Sequence, residues 1–281
     1  DLLGGRVHDR VRTYTYLYPA DGRPDVYTDP AQAAEQAAFE VERGFTAVKF
    51  DPAGPYTAFD GHQPSLHDID RSVAITAAIR EAVGSRADLL FGTHGQFTAA
   101  GAIRLARRLE AFDPLWFEEP TQPDQPEEMA RVARQTSIPI ATGERLTTIS
   151  EFATLARHQA AAIWQPNLGR CGGILAGKKI AAIAEASGCQ IAPHLYSGPI
   201  LGAANIQLAA TLPNLLIVEG IQDWSGFHAD LLTRPIQWED GYVIPSREPG
   251  LGIELNEAVA LANPYPTDGE LHLGMVDTPV R

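Results

Sequence analysis

Phe117-Glu118-Glu119-Pro120 and Thr142-Gly143-Glu144-Arg145 decide how this chain is read. Each closes a short apolar run, Pro114-Leu115-Trp116-Phe117 in one case and Ile138-Pro139-Ile140-Ala141 in the other, that leads abruptly to a carboxylate. Glu118 and Glu144 lie 26 positions apart, about one strand-plus-helix unit. If the two runs are neighbouring parallel strands, both carboxylates open into one mouth, where they repel unless a cation or a shared proton lies between them. The pair therefore predicts a divalent metal site; the plainer alternative is two solvated strand-end acids.

The same alternation extends in both directions. Val11 to Leu17 is β-branched and aromatic and reads as a first strand. Asp29-Pro30 supplies an N-cap and first-turn proline for an Ala-rich helix stopping at Gly44. Phe45 to Phe50 is a second strand ending at Asp51, and the Pro/Gly-rich stretch from Pro52 to His67 reads as a lid-like loop. A helix from about Asp68 to Val83 and a third strand, Asp88 to Phe91, follow, and Thr98 caps the next helix through Leu109. Further strands are expected near 115–118, 140–143, 161–165, 190–193 and 215–218. Eight strand–helix units imply a parallel sheet with helical crossovers, the pattern of a (β/α)8 TIM-type barrel in the α/β class. Asp240-Gly241 between apolar flanks predicts a hairpin.

With 281 residues the chain is long enough for one such barrel. A net charge of −13 argues against nucleic acid or an anionic membrane as partner. Only two cysteines, Cys171 and Cys189, occur, too few for a disulfide framework, so a cytoplasmic protein is expected. No run of 18 apolar residues predicts a membrane span.

Barrel active sites are built at the C-terminal ends of strands. Those ends read Lys49 and Asp51, Gly92 and His94, Glu118, Glu144, Asn167, His194 and Glu219, with spacings from Gly92 of 26, 26, 23, 27 and 25 residues when His94 is left aside. A lone histidine is more often structural, but this regular phasing predicts one shared site. Tyr196, just past His194, is a candidate substrate contact, and Trp224 and His228 are candidates for a pocket wall. Arg145 and Arg170 read either as carboxylate clamps or as partners of Glu118, Glu119 or Glu144. Asp60, His62 and His67 read as solvated loop groups, and Trp164 as core.

The order Glu118-Glu119-Pro120, Gly143-Glu144-Arg145-Leu146, Pro166-Asn167, Gly172-Gly173-Ile174, Ala192-Pro193-His194 and Glu219 resembles the enolase superfamily. Within it the sequence is most similar to the mandelate racemase subgroup and its sugar-acid dehydratases, galactonate dehydratase among them. Pro249-Gly250-Leu251-Gly252-Ile253-Glu254 fits as well. The resemblance implies a barrel that binds Mg²⁺, removes the proton α to a carboxylate and stabilises the resulting enediolate. It implies Glu118 and Glu144 as metal ligands, His194 as base, Glu219 as partner of the substrate carboxyl and His94 as acid toward a leaving hydroxyl. Lys49 and Asp51 stand where a base or substrate contact is often found. A homo-oligomer is implied by the resemblance alone.

Three departures shape the expectation. Gly92 stands where the family's first metal ligand, an aspartate, is expected, leaving Asp51, water or His94 to complete the shell. Asn167 replaces the carboxylate expected to orient His194, so another carboxylate compensates or His194 works chiefly as an acid. The implied N-terminal capping domain has no counterpart here, so residues 1–10 read as its linker, 11–255 as the barrel and 256–281 as a tail. The expected reaction is dehydration of a sugar acid to a 2-keto-3-deoxy acid. Cycloisomerisation of a lactone or anhydro ring is the alternative within the chemistry, and a non-catalytic binding barrel the alternative outside it.

Overall fold

A computed structural model describes residues 2–51, 53 and 61–264. The eight expected parallel strands are present as β1 (Val11–Tyr16), β2 (Ala47–Phe50), β3 (Asp88–Gly92), β4 (Trp116–Glu118), β5 (Ile140–Thr142), β6 (Ile163–Trp164), β7 (Gln190–Ile191) and β8 (Val218–Glu219). Between them run α1 (Pro30–Glu42), α2 (Leu66–Val83), α3 (Ala99–Leu109), α4 (Pro126–Ala133), α5 (Ile149–His158), α6 (Ile174–Ala186) and α7 (Pro199–Ala209). The hydrogen-bonded order is β7-β6-β5-β4-β3-β2-β1, with β8 on the other side of β1, the architecture of a (β/α)8 barrel. No ladder joins β7 to β8. Single backbone bonds cross that seam instead: Ile191 N–H to Asn214 O at 2.9 Å, Leu216 N–H to Ile191 O at 2.8 Å and Glu219 N–H to Pro193 O at 3.4 Å.

The eighth strand–helix unit is shorter than expected. The eighth ladder begins at Val218 rather than 215, because Leu215 meets Ile191 only as an isolated bridge. The helix after it, α8 (Phe227–Asp230), is one turn long. The predicted hairpin is there: β9 (Trp238–Glu239) and β10 (Tyr242–Val243) pair antiparallel, and β10 lies against Val11 and Arg12. Its Asp240 and Gly241 both take positive φ, 47° and 81°, as a tight two-residue turn requires. A last short helix, α9 (Glu257–Ala262), follows.

The caps follow the sequence. Asp29 accepts from Ala31 and Gln32 N–H, Ser65 from Asp68 N–H and Thr98 from Gly101 N–H. Thr148 and Glu151 form a full capping box on α5.

The barrel interior is filled by one residue at each strand: Tyr14, Ala47, Leu90, Trp116, Ala141, Ile163, Ala192 and Ile217. Large side chains are interleaved with the three alanines, and Tyr14 meets Trp116 edge-on with ring centroids 5.3 Å apart. The strand residues out of phase with these, such as Val48, Phe91, Phe117, Ile140, Trp164 and Ile191, pack with the helices in a second core. Because side chains alternate along a strand, the next inward position is two residues further: Lys49, Gly92, Glu118, Gly143, Gln165, His194 and Glu219. The polar layer at the mouth is thus the continuation of the apolar layer below it.

β5 alone delivers its carboxylate one residue late. Gly143 has φ of +136°, and a Cβ there would lie 2.8 Å from Phe152 Cε1 and 3.0 Å from Gln165 N. Only glycine permits this turn, which carries the chain on to Glu144. Gly143→Ala is expected to cost about 2–4 kcal/mol, measured as the shift in urea unfolding.

Candidate active site

The site residues expected from the sequence fall into one buried cluster. Lys49 Nζ lies 2.5 Å from Glu118 Oε1 and 3.7 Å from Glu219 Oε1. Gln165 Nε2 donates to the other oxygen of Glu118 at 2.7 Å. Glu219 Oε2 accepts from Leu195 N–H at 2.6 Å. His194 Nε2 stands 3.4 Å from Glu144 Oε2 and 3.8 Å from Glu219 Oε2. His94 Nδ1 stands 3.5 Å from Asp51 Oδ2. Lys49, Glu118, Glu144, His194 and Glu219 are all buried.

Burial raises the cost of each charge, so the charges hold one another. Desolvation opposes the Lys49 ammonium, yet Glu118 and Glu219 outweigh it and hold its pKa well above the lysine range. Desolvation would raise Glu144, but His194, His94 and Lys49 pull it below the usual carboxylate range. Burial would lower His94, and Asp51 and Glu144 raise it instead.

Among the described residues, His94, Glu118 and Glu144 place one potential ligand atom each within 4.8 Å of one another. Glu144 Oε2 accepts no hydrogen bond. The two carboxylates, with their oxygen donors, fit a divalent cation such as Mg²⁺, and His94 stands beside them in the same mouth. All three strand ends that supply this set turn sharply, with His94 at φ 50°, Glu119 at φ 41° and Gly143 at φ 136°, and for the two non-glycine residues this is the kind of local strain found at functional sites.

Asn167 is anchored at both ends. Its Oδ1 accepts from Gly169 N–H at 2.9 Å, which fixes the amide orientation and turns Nδ2 toward His194 Nδ1, also at 2.9 Å. The ring Nδ1 must then accept, so the proton of neutral His194 sits on Nε2, facing Glu144 and Glu219.

Of the remaining expected residues, Arg145 takes one of the partners expected for it. Arg145 donates through Nε to Glu119 Oε2 at 2.9 Å and through a terminal nitrogen to His94 O at 2.9 Å, bracing the wall. Trp224 lies in the core against Gly202 of α7, away from the pocket-wall position expected for it, because glycine leaves room for its indole there. Arg170 donates to the Glu144 carbonyl at 3.2 Å. Tyr196 is half-exposed beside His194. His62 is not simply solvated: it stacks edge-on to Phe97 with centroids 5.4 Å apart, whereas His67 is exposed. Asp60 lies outside the described residues, as does half of the expected lid, residues 52 and 54–60. Trp164 is core, Cys171 is buried and both cysteines are free thiols. No described helix is long and apolar enough to cross a membrane.

Sequence reasoning missed Gln165, the second partner of Glu118, and the tyrosines of the β1 end. Tyr16 lies 5.5 Å from Tyr18 and 6.1 Å from Tyr27 between ring centroids, and Lys49 Nζ sits 5.9 Å above the Tyr16 ring. Burial pushes the Tyr27 hydroxyl up to about 12. The available signal was the two-residue step from Tyr14 to Tyr16 and from Ile163 to Gln165.

Residues 32–259 match the family described as enolase C-terminal domain-like. The chain belongs to that family. A solved structure from Labrenzia alexandrii DFL-11, described as a mandelate racemase/muconate lactonizing enzyme, is 64% identical with a TM-score of 0.93, covering 97% of this chain and 69% of that one. The D-gluconate dehydratase of Thermoproteus tenax is 34% identical over 92% of this chain and 50% of its own length. The D-galactonate dehydratase of Variovorax paradoxus is 35% identical over 92% of this chain and 66% of its own length. The enolase-family barrel here thus spans about half to two thirds of these two relatives.

Within this enolase-family site, Glu119 is a buried carboxylate raised to about 7 by desolvation and by Glu144, with Arg145 opposing. Arg145→Ala removes its counter-charge and is expected to cost about 3 kcal/mol. Adding Glu119→Gln should recover most of that loss, as read from a double-mutant unfolding cycle.

Proposed function

We propose that this chain is the catalytic barrel of a sugar-acid dehydratase, removing the proton α to a carboxylate and expelling the β-hydroxyl to give a 2-keto-3-deoxy acid. The observation that carries the reading is the convergence of Lys49, His94, Glu118, Glu144, His194 and Glu219 on one buried mouth, in a chain similar to proteins named for this activity. Glu118 and Glu144 would hold Mg²⁺, the ion implied by the family resemblance. When bound, it supplies positive charge for the negative charge that proton removal places on the substrate carboxyl.

The chain's own groups divide the proton work. The fixed Asn167 amide favours His194 as the group that hydrogen-bonds the departing hydroxyl through Nε2–H, and the proton with which that hydroxyl leaves as water is the one His94 takes from C2. Asp51 favours His94 as the group that takes up the C2 proton, since a carboxylate stabilises the imidazolium that results. This is the reverse of the assignment implied by the resemblance. Lys49 and Glu219 bind and orient the substrate carboxyl end, and Tyr196 contacts the polyol.

A second reading, ring opening of a lactone or anhydro-sugar acid without loss of mass, is favoured by the aromatic faces of Tyr16, Tyr18 and Tyr27 beside the mouth. Incubation with Mg²⁺ and a panel of aldonic, aldaric and anhydro-sugar acids, followed by mass spectrometry and a keto-acid assay, separates the two. A keto acid lighter by one water is expected; an isomeric keto acid would establish cycloisomerisation. No product across the panel would overturn both in favour of a binding barrel.

The histidine roles have their own test. His94→Asn should abolish exchange of the substrate's α-proton with solvent deuterium, whereas His194→Asn should retain exchange while losing at least about 100-fold in product formation. Loss of exchange in the second variant would restore His194 as the base.

A further inference from the structure

The end of β3 offers no side chain to the mouth, and the space above it is filled. A Cβ on Gly92 would lie 3.1 Å from Lys49 Cε and 3.8 Å from Phe50 O. The lysine stem therefore passes over Gly92, and its ammonium reaches Glu118. Both oxygens of Glu118 are taken by this chain, one by Lys49 and one by Gln165, whereas Glu144 Oε2 accepts no hydrogen bond. The two candidate ligands are thus unequal: Glu144 Oε2 has His194 Nε2 beside it at 3.4 Å with no hydrogen bond formed, and Glu118 is held at both oxygens, one of them by a cation of the protein itself.

We propose that Lys49 competes with the divalent cation for Glu118, with Gly92 as the gap in the barrel wall that admits it. This rests on the reading that Glu118 and Glu144 bind such an ion. A buried ammonium and a divalent ion at the same carboxylate edge repel strongly, because little solvent lies between them to screen the charges. The lysine stem is flexible and its charge compact. Its destination is already at hand, since Glu219 Oε1 lies 3.7 Å from Nζ. Ion entry therefore frees Lys49 from Glu118 and moves it toward Glu219, beside His194. Before the ion arrives, Lys49 keeps the buried carboxylates from repelling one another. Afterwards it stands at the substrate-carboxyl end, so the ion binds before the substrate.

The sequence makes the test direct, because only Lys49, Lys178 and Lys179 are lysines. In the chain labelled with ¹³Cε-lysine, titration with Mg²⁺ alone should shift one of three Cε resonances, assigned to Lys49 by its loss in Lys49→Met, with Lys178 and Lys179 unmoved. Calorimetry should show Lys49→Met binding Mg²⁺ at least tenfold more tightly than the wild type. Gly92→Ala, whose new methyl presses on Cε, should move affinity the same way by less and guards against loss of folding in the first variant. Mg²⁺ binding that leaves the Lys49 resonance in place, or affinity unchanged or weakened in both variants, overturns the competition while leaving the metal reading intact. No Mg²⁺ binding to wild type or to either variant overturns the metal reading and the competition together.

Discussion

Charge compensation in a low-dielectric mouth is the constraint on which this site depends. Glu118, Glu119, Glu144 and Glu219 are all buried, and no isolated carboxylate is tolerated there at acceptable cost. Each has an answer in the chain: Lys49 and Gln165 for Glu118, Arg145 for Glu119, the Leu195 N–H and Lys49 for Glu219, and His194 for Glu144. Glu144 is the least satisfied by hydrogen bonds, and it is the position at which an added cation gains most.

The apolar layer beneath makes this arrangement possible. One residue at each strand fills the barrel interior, and alternation sends the next inward residue to the mouth. The same packing that stabilises the barrel therefore sets the ring of functional positions. Deviations from the two-residue step are few and have visible causes. Gly143 turns through a conformation open to glycine and hands the position to Glu144, and β3 turns at His94 after leaving Gly92 empty for Lys49.

The two histidines show how a single neighbour decides a proton's place. His94 faces a carboxylate and His194 an amide, and both stand near Glu144. An amide whose oxygen is committed to Gly169 N–H can only donate to the ring, whereas a carboxylate can only accept. The difference comes from a backbone turn at Gly169 as much as from the residue at 167.

The sequence by itself determined the barrel, its strand ends and most of the candidate site. Strand-end polar groups recur at unit spacing, and hydrophobic period, caps and the Asp240-Gly241 turn are all local signals. Glu118, Glu144, His194 and Glu219 were legible for that reason. Only the tertiary structure decided who partners whom. Lys49 and Glu118 are 69 positions apart, and Gln165 and Glu118 are 47 apart; no local pattern encodes such meetings, which arise from strand register and from the gap at Gly92. It also sent Trp224 into the core and Arg145 to Glu119, because packing room at Gly202 and the burial of the Glu119 carboxylate are properties of the folded molecule.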